Sequence, residues 1–348
     1  MKGQYRFMNT ILTGVRVNEE PTLGNFLGAY VPMVNLSHEH AKDSQINFFV
    51  PDLHSFTTPV EHSKLYDQTI KGVKYYIAAG LDVDNPNVHF YRQSRVPAHA
   101  QLCWILDCFT PFGEASRMTQ FKEKSAEHPD AITVGLFNYP ILMAADILLY
   151  DAKYVPVGED QLQHLELARN IAIRMNNKFN QELFTLPAPG QEQIKFMHLK
   201  KALRIRSLTD PTKKMSKSAE NEKSKILLSD DPKQAAKKIM SATTDSEGVI
   251  RFDMINQPGI SNLLTIESLL TNRDIQDVIS DWAGQTSYGD LKRKVADSVM
   301  HFLSGFQERV NAITDDDVKA ILEKGELYAN EIANDKLLQV EKAVGLYK

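Results

Sequence analysis

Over its first two thirds the chain alternates short apolar runs of β type with stretches of helical periodicity, and few folds tolerate that alternation. Residues 10–15, 47–50, 88–91 and 154–157 read as strands, and residues 22–37, 62–79, 97–108 and 138–150 as helices. This alternation predicts an α/β fold of the doubly wound kind, a parallel sheet with helices on both faces. In such sheets a ligand crevice opens beyond the carboxyl ends of the strands. Segments 15–25, 51–54 and 158–161 follow predicted strands and should surround one crevice.

From residue 233 the pattern turns helical, with almost no strand signal. Ser229-Asp230-Asp231-Pro232 is a helix start: capping side chains, early negative charge, then proline in the first turn. Gly259, Gly284, Gly289, Gly305 and Gly325 punctuate the helices that follow. The expected organisation is an α/β domain over residues 1–225 and an all-helical domain over residues 226–348. That suits 348 residues at roughly 100–200 per domain.

Composition removes several function classes. Forty Lys and Arg against 44 Asp and Glu give a net charge of −4, too acidic for a chain that coats nucleic acid non-specifically. Cys103 and Cys108 are the two cysteines, too few for a disulfide framework or a four-cysteine zinc site. They read as buried thiols of a reducing cytoplasm. The first ten residues lack the apolar core of a secretory leader, and the uncharged stretch 131–145 is too short to cross a bilayer. A cytoplasmic chain with no membrane partner is expected.

One stretch departs from that balance. Residues 200–225 hold nine basic and three acidic side chains. This is either a solvated surface loop or a polyphosphate site, since localised positive charge suits a localised anion. Neither G-x-G-x-x-G nor G-x-x-x-x-G-K-[ST] is present, which removes support for dinucleotide oxidoreductases and P-loop NTPases. Two other segments offer phosphate chemistry. Residues 21–28, Pro-Thr-Leu-Gly-Asn-Phe-Leu-Gly, follow the first strand and open a helix, whose free N–H groups can face an anion. Gly24 lets a base or ribose approach the backbone. Residues 210–218, Asp-Pro-Thr-Lys-Lys-Met-Ser-Lys-Ser, carry Lys214 and Lys217 three apart, and a loop of this kind can bring two ammonium groups onto a departing pyrophosphate.

These segments carry a resemblance. Lys214-Met215-Ser216-Lys217-Ser218 is the KMSKS signature of class I aminoacyl-tRNA synthetases, and Thr22-Leu23-Gly24-Asn25 stands where that class has its HIGH signature. Residues 96–101, 118–125, 139–150, 155–164 and 244–248 look like bacterial-type tryptophanyl-tRNA synthetases, in the same order along the chain. The resemblance runs from about residue 11 to 263 and more weakly to the end. It implies a Rossmann-like catalytic sheet, ATP as substrate with Mg²⁺ on its phosphates, L-tryptophan and tRNA(Trp) as partners, an anticodon-reading helical domain and a homodimer. Residues 226–348 carry 14 basic and 20 acidic residues, so RNA contact there should be patchy.

The family's roles map onto single residues. Asp146 would read the indole proton: the indole N–H only donates and an ionised carboxylate only accepts. The alternative is a helix carboxylate paired with a protein donor, because a buried carboxylate is costly without a partner. Met143 would pack on the indole or serve as core filler. His54, Val155 and Val157 would line the same pocket. Tyr139 and Gln161 would hold the amino group, and Gln120 the carboxylate. Gly158, Glu159 and Asp160 resemble the ribose and adenine loop, with Ile205 offering backbone contacts to adenine. Thr22, Gly24, Asn25, Lys214, Met215, Ser216, Lys217 and Ser218 would form the ATP site, with Lys124 joining the phosphates. Thr22, Asn25, Lys124, Lys214 and Lys217 are the catalytic candidates. One departure stands out. The family's Gln-Pro-Ser/Thr-Gly loop is replaced by Arg16-Val17-Asn18-Glu19-Glu20. Arg16 takes the glutamine position, where it reaches a phosphate or pairs with Glu19 or Glu20.

Competing readings are the same chemistry on tyrosine, a small-molecule nucleotidylyltransferase, and a non-catalytic paralogue that binds tryptophan or RNA.

Overall fold

The computed structural model describes residues 8–15, 17, 20–119, 132–197 and 204–348. Its sheet has four parallel strands, β1 (Asn9–Gly14), β2 (Ser44–Val50), β3 (Val88–Arg92) and β4 (Ala152–Tyr154), in the order β3-β2-β1-β4. β2, Ser-Gln-Ile-Asn-Phe-Phe-Val, is buried at every position, as a strand covered on both faces must be. Ile11, Ile46, Phe48, Val88 and Phe90 point to one face; Leu12, Phe49 and Tyr91 point to the other.

Several expected boundaries moved: β2 begins at Ser44, not at residue 47, and two further shifts have a plain cause. The fourth strand ends at Tyr154, not at residue 157. The Val155 N–H donates to Gln193 Oε1 at 2.9 Å, and Pro156 has no N–H to give, so the ladder stops there. The helix expected from residue 138 begins earlier: α6 (Val134–Leu148) is capped by Thr133, whose Oγ1 accepts from Leu136 N at 3.1 Å. Pro140 lies inside it.

The first helix opens where expected. Thr22 caps α1 (Leu23–Asn25), which continues through a wider π-type turn, Phe26–Tyr30, into α2 (Val31–His40). The crossover helix α3 (Leu65–Ala78) follows β2. The helices α4 (Ala98–Asp107) and α5 (Phe112–Ala115) follow β3, and α7 (Leu162–Phe179) and α8 (Gly190–Phe196) follow β4.

The remaining helices are α9 (Pro232–Met240), α10 (Pro258–Thr271), α11 (Ile275–Trp282), α12 (Tyr288–Ala312) and α13 (Asp315–Val344). α9 starts at Pro232 with Asp231 as its cap, as the sequence predicts. Their apolar faces do not form a separate core. Ile239, Leu263, Val295 and Leu303 belong to one cluster with Ile46 and Phe48 of the sheet, and Phe26 meets Phe302 and Phe306 at ring distances of 5.4 and 4.9 Å. The glycines divide into two kinds. Gly284 follows a helix at φ +75°, whereas Gly305 and Gly325 lie inside helices. α13 lies along β3, the strand at one edge of the sheet. Arg92 holds Glu326 through two N–H···O bonds across this contact. Among the described residues no helix is long and apolar enough to cross a membrane.

Candidate active site

The chain order turns back at β1: β2 and β3 lie to one side, β4 to the other. Such a reversal opens a crevice at the carboxyl ends of the strands. Residues 20–25 leave β1 there and residues 155–161 leave β4.

The two phosphate segments meet in space. A methyl group placed on Gly24 would lie 3.4 Å from Met215 Cβ and 3.5 Å from Ile205 Cβ. Backbone bonds continue this contact, with Leu23 N donating to Ile226 O at 2.8 Å and Leu228 N to Pro21 O at 3.2 Å. Thr22 and Asn25 form a reciprocal cap. Asn25 N donates to Thr22 Oγ1 at 3.1 Å, and Thr22 N and Oγ1 donate to Asn25 Oδ1 at 3.1 and 2.9 Å. Thr22 is fully buried and Asn25 is exposed. The helix start is thereby fixed before any ligand arrives.

Across from it, residues 213–215 run antiparallel to 205–207. Ser207 N donates to Lys213 O at 3.0 Å and Met215 N to Ile205 O at 3.1 Å. Met215 and Ile205 are buried, while Lys213, Lys214, Lys217 and Ser218 are exposed. Ser216 and Ser218 hydroxyls pair at 3.0 Å. The loop therefore presents cations at its tip and anchors its apolar methionine beneath the helix start. Gly158, Glu159, Asp160 and Gln161 form the turn after β4. Gln161 Nε2 donates to Asp160 Oδ2 at 2.8 Å, and a methyl on Gly158 would strike Asp160 at 2.5 Å.

Asp146 has three protein donors, as the alternative reading of that carboxylate anticipates. It is 1% exposed. Oδ1 accepts from His99 Nδ1 at 2.6 Å and Gln93 Nε2 at 2.7 Å; Oδ2 accepts from His54 Nε2 at 2.8 Å. Burial alone would raise its pKa. The His54 and His99 hydrogen bonds and their charge outweigh that and hold the carboxyl at about 2. His99 Nε2 pairs in turn with Tyr150 Oη at 3.0 Å, and Gln93 Oε1 accepts from Leu53 N at 3.2 Å. Oδ1 is saturated; Oδ2 keeps one lone pair. The His54 and Gln93 bonds bring Asp146 to loops at the carboxyl ends of β2 and β3.

Tyr139 stands edge-on to His54, with ring centroids 6.1 Å apart, and its Oη pairs with His164 Nε2 at 3.0 Å. Met143 and Val157 are half-buried and Val155 is buried on this side of the sheet. Beside Tyr139 opens a cavity of about 290 Å³ lined by Leu53, Ala100, Cys103, Trp104, Asn138 and others; Asp146 and Met143 do not line it. Arg16, Gln120 and Lys124 lie outside the described residues. In the departing loop, Val17 packs on Gly72, and Glu20 bonds Lys71 Nζ and Tyr75 Oη on α3. Glu20 is thus committed to α3.

Gln93, His99 and Tyr150 carried no role in the sequence reading. His99 stands within residues 96–101, and a histidine on the apolar face of a helix was the available signal. Gln93 offered none.

The reversal in the sheet, the capped helix start and the lysine loop touching it define a nucleotide-binding α/β site of the class I synthetase kind. The profile of tRNA synthetases class I (W and Y) matches residues 10–304, and the chain belongs to that family. It is similar to the tryptophan–tRNA ligase of Caldanaerobacter subterraneus subsp. tengcongensis, at 45% identity over 97% of this chain and 99% of that one. Its identity to the Bacillus subtilis tryptophan–tRNA ligase is 44% over 97% and 98%. The solved tryptophanyl-tRNA synthetase of Campylobacter jejuni, complexed with ADP and tryptophan, superposes with a TM-score of 0.79 at 30% identity, covering 97% of this chain and 99% of that one. That of Mycoplasma pneumoniae gives 0.78 at 35% identity, covering 97% and 98%.

Proposed function

We propose that the chain is a tryptophan–tRNA ligase: it activates L-tryptophan with ATP, releasing pyrophosphate, and passes the tryptophanyl group to tRNA(Trp). The observation that supports this reading is the contact between the Gly24 helix start and Met215 of the lysine loop, on which Lys214 and Lys217 flank the methionine in sequence. The tryptophan carboxylate attacks the α-phosphorus; one P–O bond forms as the bond to pyrophosphate breaks. No covalent enzyme intermediate is required, so the protein's contribution is alignment and charge neutralisation. Lys214 and Lys217 neutralise the leaving pyrophosphate, with Lys124 joining them. The N–H groups after Thr22 and the bare backbone of Gly24 receive the nucleotide, with Asn25, Ser216 and Ser218 beside it. Gly158, Glu159, Asp160 and the Ile205 backbone hold ribose and adenine. Arg16 takes the place of a nucleotide-contacting glutamine.

Mg²⁺ bound to the phosphates would supply further charge neutralisation. The lysine loop presents cations, and among the described residues no cluster of His, Cys, Asp or Glu suits a metal. Phosphate oxygens and water are its fitting ligands. On the tryptophan side, the free lone pair of Asp146 Oδ2 reads the indole N–H beside His54, Met143, Val155 and Val157. Tyr139, Gln161 and Gln120 hold the amino and carboxylate groups. A ribose hydroxyl of the tRNA then attacks the activated carbonyl. Residues 226–348 read the anticodon, and the chain acts as a homodimer in a reducing cytoplasm.

Purified protein should catalyse ATP–pyrophosphate exchange that depends on tryptophan and then charge tRNA(Trp). Exchange driven faster by tyrosine would move the substrate assignment, and no exchange with either would end the reading.

A further inference from the structure

Lys225 stands eight residues past Lys217 and has no role in the adenylation reading, yet its side chain is buried, 8% exposed. Lysine is seldom buried, because its ammonium loses water unless every proton finds an acceptor. Here each does. Nζ donates to the backbone carbonyls of Lys217 and Ala219, both at 2.8 Å, and lies 2.9 Å from Glu222 Oε1. Two of the three acceptors are main-chain oxygens of the lysine loop itself.

The loop is thus held from two sides by different means. Before the tip, residues 213–215 are tied to 205–207 by backbone pairing that ends at Met215. After the tip, the Lys225 ammonium gathers the carbonyls of residues 217 and 219 into one turn. Lys217 lies between these anchors with its side chain exposed. Glu222 sits on the Lys225 ammonium and offsets its charge, so Lys225 adds little to the field a phosphate would meet.

We propose that Lys225 is a positioning residue for adenylate formation: its ammonium fixes the returning arm of the loop and thereby the point from which Lys217 reaches the triphosphate. The inference rests on the adenylation reading and adds to it a residue that acts through the backbone of Lys217, not on substrate.

The test is Lys225→Met, which keeps the apolar stem and removes the donors. With saturating ATP and tryptophan, the single-turnover rate of adenylate formation falls about 10- to 30-fold, while tryptophan affinity stays within about twofold. Lys225→Arg, which retains cationic donors, recovers at least about one third of the rate. In combination with Lys217→Ala, Lys225→Met slows the reaction by less than about twofold further, because the two act through one group. Full multiplication of the two losses would show that Lys225 works elsewhere and would overturn the proposal. A second readout needs no activity. Tryptic cleavage after Lys213, Lys214 and Lys217, followed by mass spectrometry without nucleotide, is at least about fivefold faster in Lys225→Met, since the freed arm opens more often. Equal cleavage rates would overturn the anchor. Wild-type protein that cleaves slowly but forms no adenylate would instead overturn the adenylation reading. If Lys225→Met does not fold, Lys225→Gln, whose shorter amide cannot span both carbonyls, replaces it in the same comparisons.

Discussion

Asp146 shows how a single residue was only half legible. A carboxylate inside the apolar run of α6 announces a buried charge, and buried charges need partners. Its donors come from 53 and 47 residues away and from His54, 92 away, so their arrival depends on the fold. Because Asp146 titrates near 2 when folded and near 3.8 otherwise, its stabilising contribution is complete above about pH 4 and is lost as pH falls toward 2. Asp146→Asn removes the charge that His54 and His99 meet. Stability at pH 7 should fall by about 2 kcal/mol, and the acid limb between pH 4 and pH 2 should flatten relative to wild type. Tryptophan KM should rise about 10- to 100-fold with weaker discrimination against phenylalanine, from the lost charge-assisted hydrogen bond. Urea unfolding across pH and exchange kinetics measure both effects. An unchanged KM in folded protein would remove Asp146 from substrate recognition.

At the scale of elements, the strands were readable because their apolar runs are short and buried on both faces. Their limits were not, since β4 ends where a glutamine side chain from α8 takes the next N–H. Gly325 makes the same point for helices. From sequence it looks like punctuation, yet it sits inside α13 because no side chain fits there: a methyl on it would lie 2.0 Å from Phe90 O of β3. Without that clash, alanine inside a helix would stabilise by up to about 1 kcal/mol over glycine. The close approach reverses the sign. Gly325→Ala should destabilise by about 2–3 kcal/mol, as overpacking does when backbone must move. Gly305→Ala, whose nearest neighbour at 3.6 Å is the flexible end of Arg309, should hold or gain stability. Denaturant midpoints of the two variants should therefore move in opposite directions, and a stabilising Gly325→Ala would disprove the tight seating of α13 on β3.

At the scale of the molecule, the strand-and-helix alternation read from the sequence turns wholly helical from residue 233, but the last strand already ends at Tyr154, and apolar contacts join the late helices to the early ones, as Phe26 on Phe306 shows. Sequence periodicity reports which face of each helix is apolar and not which element will cover it. Among the described residues, several large apolar side chains on neighbouring elements are exposed. Trp104 on α4 is 72% exposed, Phe112 on α5 75% and Val134 at the start of α6 83%. Phe112 stacks on Phe137 of α6, and Trp104 borders the cavity beside Asn138, so these residues belong to neighbouring elements. Clustered large apolar side chains in water mark an association surface more often than scattered ones do. The proposed homodimer is expected to bury this face as its seam, with twofold pairing setting each Trp104 against the partner's copy of the same patch. Trp104→Glu buries a charge in that seam and should raise the dimer dissociation constant at least about 100-fold, since a desolvated unpaired carboxylate costs several kcal/mol. Sedimentation equilibrium should then find dimers of wild type and monomers of the variant, both retaining the native thermal transition of a folded chain. Dimers of undiminished stability in Trp104→Glu would place the seam on another face.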